Sequence, residues 1–153
     1  MTTLPANPPA SKPSPVQTAF RILLGAALLW AGISHLTVAR REFLAQVPTW
    51  LPVDGDLVVV LSGIVEIVLG AALIFAPRRY RPWVGGIAAA FFVLVFPGNL
   101  SQWMNGIDGF GMNTDQARFI RLFFQPVLIV WALWSTGAWR AWRDSRKEKR
   151  VHS

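Results

Sequence analysis

The stretch DLVVVLSGIVEIVLGAALIF, residues 56–75, is an almost unbroken apolar run with one acid, Glu66, set in its middle. About 20 consecutive apolar residues span a bilayer as an α-helix, because at that depth every backbone group has to be hydrogen-bonded within its own segment. Hydrophobic residues fill 53% of the 153 positions and charged residues only 15%, and the charges gather at the ends and between apolar blocks. The run therefore belongs to a membrane protein rather than to a soluble core.

Working outward, three further stretches qualify as spans, giving helices at about 18–38, 57–76, 82–103 and 118–139. The second is ended by the breaker and charges of PRRYRP, and the third starts beside Pro82, a favourable residue for a first helical turn. These four predict an all-α, integral membrane four-helix bundle over residues 17–139, with no room for a separate soluble domain. Residues 1–16, MTTLPANPPASKPSPV, are proline-rich and polar and read as a disordered cytoplasmic tail, and residues 140–153 read as a basic cytoplasmic tail. The N-terminal segment does not resemble a signal peptide: its basic region is weak, and the apolar stretch behind it is long enough to span.

Orientation follows from Lys and Arg. With the N-terminus inside, the cytoplasmic segments carry Lys12, Arg21, Arg78, Arg79, Arg81 and the tail's Arg140, Arg143, Arg146, Lys147, Lys149 and Arg150. The opposite loops carry Arg40, Arg41, Arg118 and Arg121 against Glu42, Asp54, Asp56, Asp108 and Asp115. Both termini are therefore expected on the cytoplasmic side of a bacterial inner membrane, crossed several times. The net charge of +7 does not require nucleic acid. The basic tail follows a span directly and lacks interleaved aromatics suited to bases, so its expected partner is the anionic headgroup layer of the bilayer.

The chain has no cysteine, which removes dithiol and disulfide chemistry, and only two histidines, His35 and the tail residue His152, so no metal or two-histidine haem site is expected. Phosphate loops, dinucleotide fingerprints and serine triads are absent too.

Polar groups inside the spans are the informative remainder, since an ionisable side chain in a bilayer usually faces the bundle interior and marks function. On a 3.6-residue period Ser62, Gly63, Glu66 and Gly70 share one face of the second span, and Gly25, Leu28, Gly32 and His35 one face of the first. Asn99 and Gln102 share a face of the third, just after Pro97, which leaves the carbonyl of Val93 without its helical partner. Arg118, Arg121 and Gln125 share a face of the fourth, and Pro126 is expected to bend it. At roughly 1.5 Å per residue, His35 lies ~5 Å, Glu66 ~13 Å, Asn99 ~6 Å and Gln125 ~10 Å below the outer helix ends. All four sit in the same half of the bilayer, and the other half reads as nearly devoid of polar groups. One polar pocket is thus expected, with Glu66 as its floor and Arg121 as its counter-charge.

Five motifs, WAGISHL, VPTWLP, LSGIVEIVLG, FPGN and RLFFQP, stand in that order across about residues 20–137. With them the chain resembles the DoxX-like family of small four-helix bacterial membrane proteins, although Leu36 stands where that family often has an aromatic and Phe123 where a proline is common. The resemblance implies the fold, the location and the polar positions His35, Glu66, Asn99, Arg121 and Gln125. It implies a reaction only loosely: relatives resemble a subunit of a thiosulfate:quinone oxidoreductase or belong to oxidoreductase complexes of oxidative-stress defence, and related animal proteins look like receptor-assembly chaperones.

Two functions follow as expectations. In one, the chain is an accessory subunit of a membrane oxidoreductase or of a quinone-binding or other lipophilic-ligand system. Glu66 or His35 then exchanges protons, Arg121 or Gln125 holds a carbonyl, Asn99 is a further ligand-binding candidate, Ser62, Gln102 and Arg118 are secondary, and a redox partner protein supplies electrons. In the other, it is a non-catalytic assembly factor or structural subunit, alone or as a homo-oligomer, whose polar cluster holds the bundle together. Transport coupled to protons ranks below both, for want of a polar path through the other half. No catalytic residue is assigned by either.

Overall fold

The computed structural model describes residues 11–151. Seven α-helices follow in order: α1 (Pro15–Leu36), α2 (Arg40–Leu44), α3 (Gly55–Phe75), α4 (Arg81–Met104), α5 (Asp115–Leu122), α6 (Phe124–Ser135) and α7 (Ala138–Val151). A 3-10 turn, Arg78–Tyr80, precedes α4, and among the described residues there is no strand. Four segments are long and apolar enough to cross a membrane: α1, α3, the 3-10 turn with α4, and α5 with α6. The protein is an all-α, multi-pass membrane bundle.

Most of the expected tail 1–16 falls on residues 1–10, outside the described residues, as does His152. Residues 15 and 16 already belong to α1. Its early start has a local cause: the Ser14 hydroxyl accepts from the Gln17 amide while the Gln17 side chain accepts from the Ser14 amide, and Pro15 takes the first helical position. The fourth span likewise begins earlier than expected, at Asp115, because Thr114 caps it. It is then broken at Phe123, since Pro126 has no amide to give the Leu122 carbonyl. It ends at Ser135, short of the expected residue 139, where Gly137 adopts φ 76° and turns the chain. The segment expected as a basic tail continues from there as α7.

The four spans form a closed ring in which α1 packs on α3, α3 on α4, α4 on α6 and α6 on α1. Bilayer lipid is as apolar as leucine, so close helix approach needs small residues rather than hydrophobic burial. The α1–α3 crossing meets this with two glycine pairs. A Cβ added at Gly25 would stand 2.8 Å from the Gly70 carbonyl oxygen, and one at Gly70 2.7 Å from that of Gly25. At Gly32 it would stand 2.6 Å from the Gly63 oxygen, and at Gly63 3.0 Å from the Gly32 oxygen. Seven residues separate the glycines on each helix, so the antiparallel backbones touch twice along one seam.

Leu24, Leu28, Leu69, Leu73, Ala88, Ala89, Phe92 and Ala132 pack into one apolar layer inside the ring. Above it, toward α2, α3 overtops α1 by about a turn, and the segment 37–54 folds across the bundle to fill the difference. At Gly98 on α4 the space a side chain would need is occupied by the Gln46 carbonyl.

Gly32→Ala is expected to destabilise the bundle by about 1–3 kcal/mol, because the new methyl meets backbone rather than a side chain that can turn away. Gly86→Ala, where nothing lies within 4 Å, should instead stabilise α4 by up to about 1 kcal/mol. Thermal unfolding of both variants in one detergent checks the contrast, and equal shifts would refute the seam.

Candidate functional site

The glycine seam decides where His35 goes. His35 lies one turn beyond Gly32, and a helical Cβ tilts toward the helix N-terminus, so the ring reaches back along α1 to the Gly63 turn of α3. Its Nδ1 lies 3.2 Å from the Val59 carbonyl oxygen and 3.0 Å from the Ser62 hydroxyl, which itself donates to Val59. A carbonyl only accepts, so Nδ1 carries a hydrogen and Nε2 is the bare nitrogen of the neutral ring.

Nε2 faces Glu66 Oε2 at 3.4 Å, and both side chains are buried, 7% and 12% exposed. Neither atom has a hydrogen-bond partner. At 3.4 Å they are within ion-pair reach but short of a hydrogen bond. One proton serves the two: it sits either on Glu66, facing the bare nitrogen, or on His35, facing a carboxylate. The pair is neutral overall in both arrangements, which suits burial where a lone charge would be costly.

The 37–54 and 105–114 segments roof this pair. The Phe43 ring lies on the His35 ring, with centroids 3.3 Å apart, and Phe110 meets Phe43 edge-on at 4.7 Å. Phe110 is held by its amide, which donates to Glu42 Oε2 at 2.5 Å, and it takes a left-handed backbone, φ 54°, uncommon for a bulky residue.

The other expected residues divide into separate groups. Asn99 donates to Gln125 Oε1 at 3.0 Å, and Gln125 Nε2 donates to the Phe92 carbonyl at 2.6 Å, one residue before the carbonyl that Pro97 leaves free. This chain of bonds ties α4 to α6. Gln102 is buried beneath Gly109 with its Nε2 unpartnered. Arg118 is spent on loop structure: its guanidinium donates to Asp108 and Asp115, both at 2.7 Å, and to the Met112 carbonyl.

Arg121 is not the counter-charge of Glu66. Its guanidinium turns toward the loops, 5.1 Å from the Phe110 ring centroid. The Gln46 carboxamide, with its oxygen toward Arg121, accepts from Nη1 and Nη2 at 3.0 and 2.5 Å. Among the described residues no carboxylate lies within ion-pair distance of it. The single pocket floored by Glu66 is thus replaced by a His35–Glu66 pair, an Asn99–Gln125 link and an Arg121 site. The loops account for the difference, since they put Gln46 and Phe110 where Arg121 was expected to meet Glu66.

The half of the bundle near α7 also departs from expectation. Gln17, Arg21, Ser135 and Thr136 are buried there. Arg21 donates to the Leu73 carbonyl and, at 3.1 Å, to that of Ile74, and Arg81 donates to Ala76, so two arginines occupy the last carbonyls of α3. Gln17 Nε2 donates to the Trp134 carbonyl, and its oxygen accepts from Arg140 at 3.0 Å. The periodicity holds a signal for both residues: 17 and 21 extend the 25, 28, 32, 35 face by one helical turn each. The apolar layer separates this polar end from the His35–Glu66 end.

The chain belongs to a family described as a domain of unknown function, DUF8561, which matches residues 24–136. Those bounds enclose the glycine seam, the His35–Glu66 pair and the Asn99–Gln125 link. Comparison with curated proteins and with solved structures finds no match.

If Asn99 and Gln125 act as one unit, Gln125→Leu leaves the Asn99 amide and the Phe92 carbonyl short of partners and costs about 1–3 kcal/mol. The double replacement Asn99→Leu/Gln125→Leu should then cost less than the sum of the single ones. Additive losses in thermal or denaturant unfolding would show that the two side chains act independently.

Proposed function

We propose that this protein is an accessory subunit of a quinone-linked or other lipophilic-ligand system of the bacterial inner membrane, and that the His35–Glu66 pair is its proton-exchange element. One observation carries the reading: two buried titratable groups face each other at 3.4 Å, and the facing atoms, His35 Nε2 and Glu66 Oε2, have no hydrogen-bond partner. Polar groups kept only to glue helices are normally paired, as the Asn99 and Gln125 amides are with each other. The His35–Glu66 pair keeps spare capacity at the cost of stability.

A quinone supplies electron acceptance linked to proton uptake. Val59 and Ser62 fix the His35 tautomer so that Nε2 points at Glu66, and the glycine seam holds the two helix backbones in register. Release of the pair's single proton leaves the Glu66 carboxylate beside a neutral His35 ring, and uptake of one proton at Oε2 or Nε2 restores neutrality. Phe43 and Phe110 exclude water from the pair on the α2 side. Electrons come from a partner protein, since the chain has no cysteine. The resemblance to the DoxX-like family supports the same class of role. The excess of Lys and Arg at the α7 end supports a cytoplasmic placement of both termini.

A second reading, a non-catalytic assembly subunit, draws on α7, which leaves the bundle at Gly137 and presents Trp139 and Trp142, each about half exposed.

Glu66→Gln separates the two. A glutamine can still donate to Nε2, so the variant should fold with a stability change within roughly 1 kcal/mol, yet it cannot release a proton. Mass spectrometry of lipids extracted from purified wild type should reveal a stoichiometric isoprenoid quinone or other lipophile that is depleted in the variant. Equal enrichment in both would overturn the proton role, and none in either would favour assembly.

A further inference from the structure

Arg121 raises a question that the His35–Glu66 reading leaves untouched. A guanidinium stays charged at any physiological pH, and a charge removed from water is costly unless an opposite charge compensates it. Arg118, three residues earlier, has two carboxylates. Arg121 has none within ion-pair distance among the described residues, only the neutral Gln46 amide, the Met112 sulfur at 4.0 Å and the Phe110 ring.

Beside it lies a groove of about 360 Å³ on the α5–α6 side of the bundle, lined by Arg121 and Gln125 and by the apolar side chains of Met112, Ile120, Phe124 and Leu128. Gln125 offers little, because its amide is already committed to Asn99 and Phe92. The groove therefore has one polar contact with donors to spare, at one end, and hydrocarbon walls. Ile120 and Phe124, 50% and 61% exposed, put those walls among the lipid chains. Arg121 stands six residues into its span, roughly 9 Å from the start of α5 by helical rise. A long arginine at that depth reaches the level where headgroup meets hydrocarbon.

We infer that this groove is a binding site for one anionic phospholipid, with its phosphate on Arg121 and an acyl chain along Ile120, Phe124 and Leu128. Arginine presents a planar fork of donors that matches phosphate oxygens, and the anion supplies the charge that the protein does not. Gln46 and the Phe110 ring hold the guanidinium at the mouth of the groove. The site is distinct from the basic face of α7, whose attraction to anionic headgroups is diffuse and screened by salt.

Native mass spectrometry tests this on the full chain, purified and then exchanged into micelles doped with phosphatidylglycerol, phosphatidylcholine or oleate, in high salt to remove loosely held lipid. One phosphatidylglycerol should stay bound to wild type and to a triple α7 variant, Arg143→Gln/Arg146→Gln/Lys147→Gln. Arg121→Gln should weaken retention roughly tenfold, the loss expected for one charge-assisted contact, while Arg121→Lys keeps part of it. Leu128→Trp fills the groove without touching the charge and should also expel the lipid, which guards against misfolding of the arginine variant. Equal retention by Arg121→Gln, equal binding of phosphatidylcholine, preference for oleate, or loss in the α7 variant would each overturn the proposal.

Discussion

Everything in this bundle hangs on the contact between two glycine pairs. Gly25 against Gly70 and Gly32 against Gly63 bring the α1 and α3 backbones closer than any side chain permits. That approach fixes both translation and rotation of one helix on the other, because a shift in either would drive a neighbouring side chain into backbone. His35, Ser62 and Glu66 inherit their positions from it, each within one turn of the Gly32–Gly63 contact. The site is thus built on rigid elements at their point of tightest packing, where a histidine can be held to one tautomer by a backbone carbonyl.

The bundle is layered along the membrane normal. One polar end contains the His35–Glu66 pair, the Asn99–Gln125 link and Arg121, and the other contains Gln17, Arg21, Ser135 and Thr136. An apolar layer of leucines, alanines and Phe92 lies between them. The two ends solve different problems. At the α7 end, arginines and a glutamine occupy helix carbonyls that would otherwise lack partners, which is a structural task. At the α2 end, two buried titratable groups face each other with hydrogen-bonding capacity left over, whereas the unpartnered buried atom at the α7 end is the hydroxyl of Ser135. Among the described residues, the dry layer between them carries no continuous polar route from one end to the other.

The architecture was legible because a bilayer permits so few alternatives: four apolar stretches of spanning length can only be helices. Helical periodicity also put Gly25, Gly32 and His35 on one face and Ser62, Gly63, Glu66 and Gly70 on another, and these are the faces that meet. Pairing across the bundle was not legible to the same degree. A face says which residues point inward, but not what the loops insert between them, and Gln46 and Phe110 are loop residues that take Arg121 away from Glu66. Gln17 precedes the span expected from residue 18, and Arg21 reads as a cytoplasmic charge at its end. The Ser14–Gln17 capping box, itself visible as S-x-x-Q, moves that start to Pro15 and brings both onto the buried face.

The central claim is that the glycine seam presents His35 to Glu66 with Nδ1 protonated and Nε2 sharing the pair's single proton. Nitrogen NMR of the His35 imidazole in labelled protein reads both ring nitrogens directly, with His152 assigned by substitution. The account predicts a protonated Nδ1 at every pH at which the bundle is folded, with an Nε2 signal that changes on Glu66→Gln. A bare Nδ1 with hydrogen on Nε2, unaffected by that substitution, would contradict it.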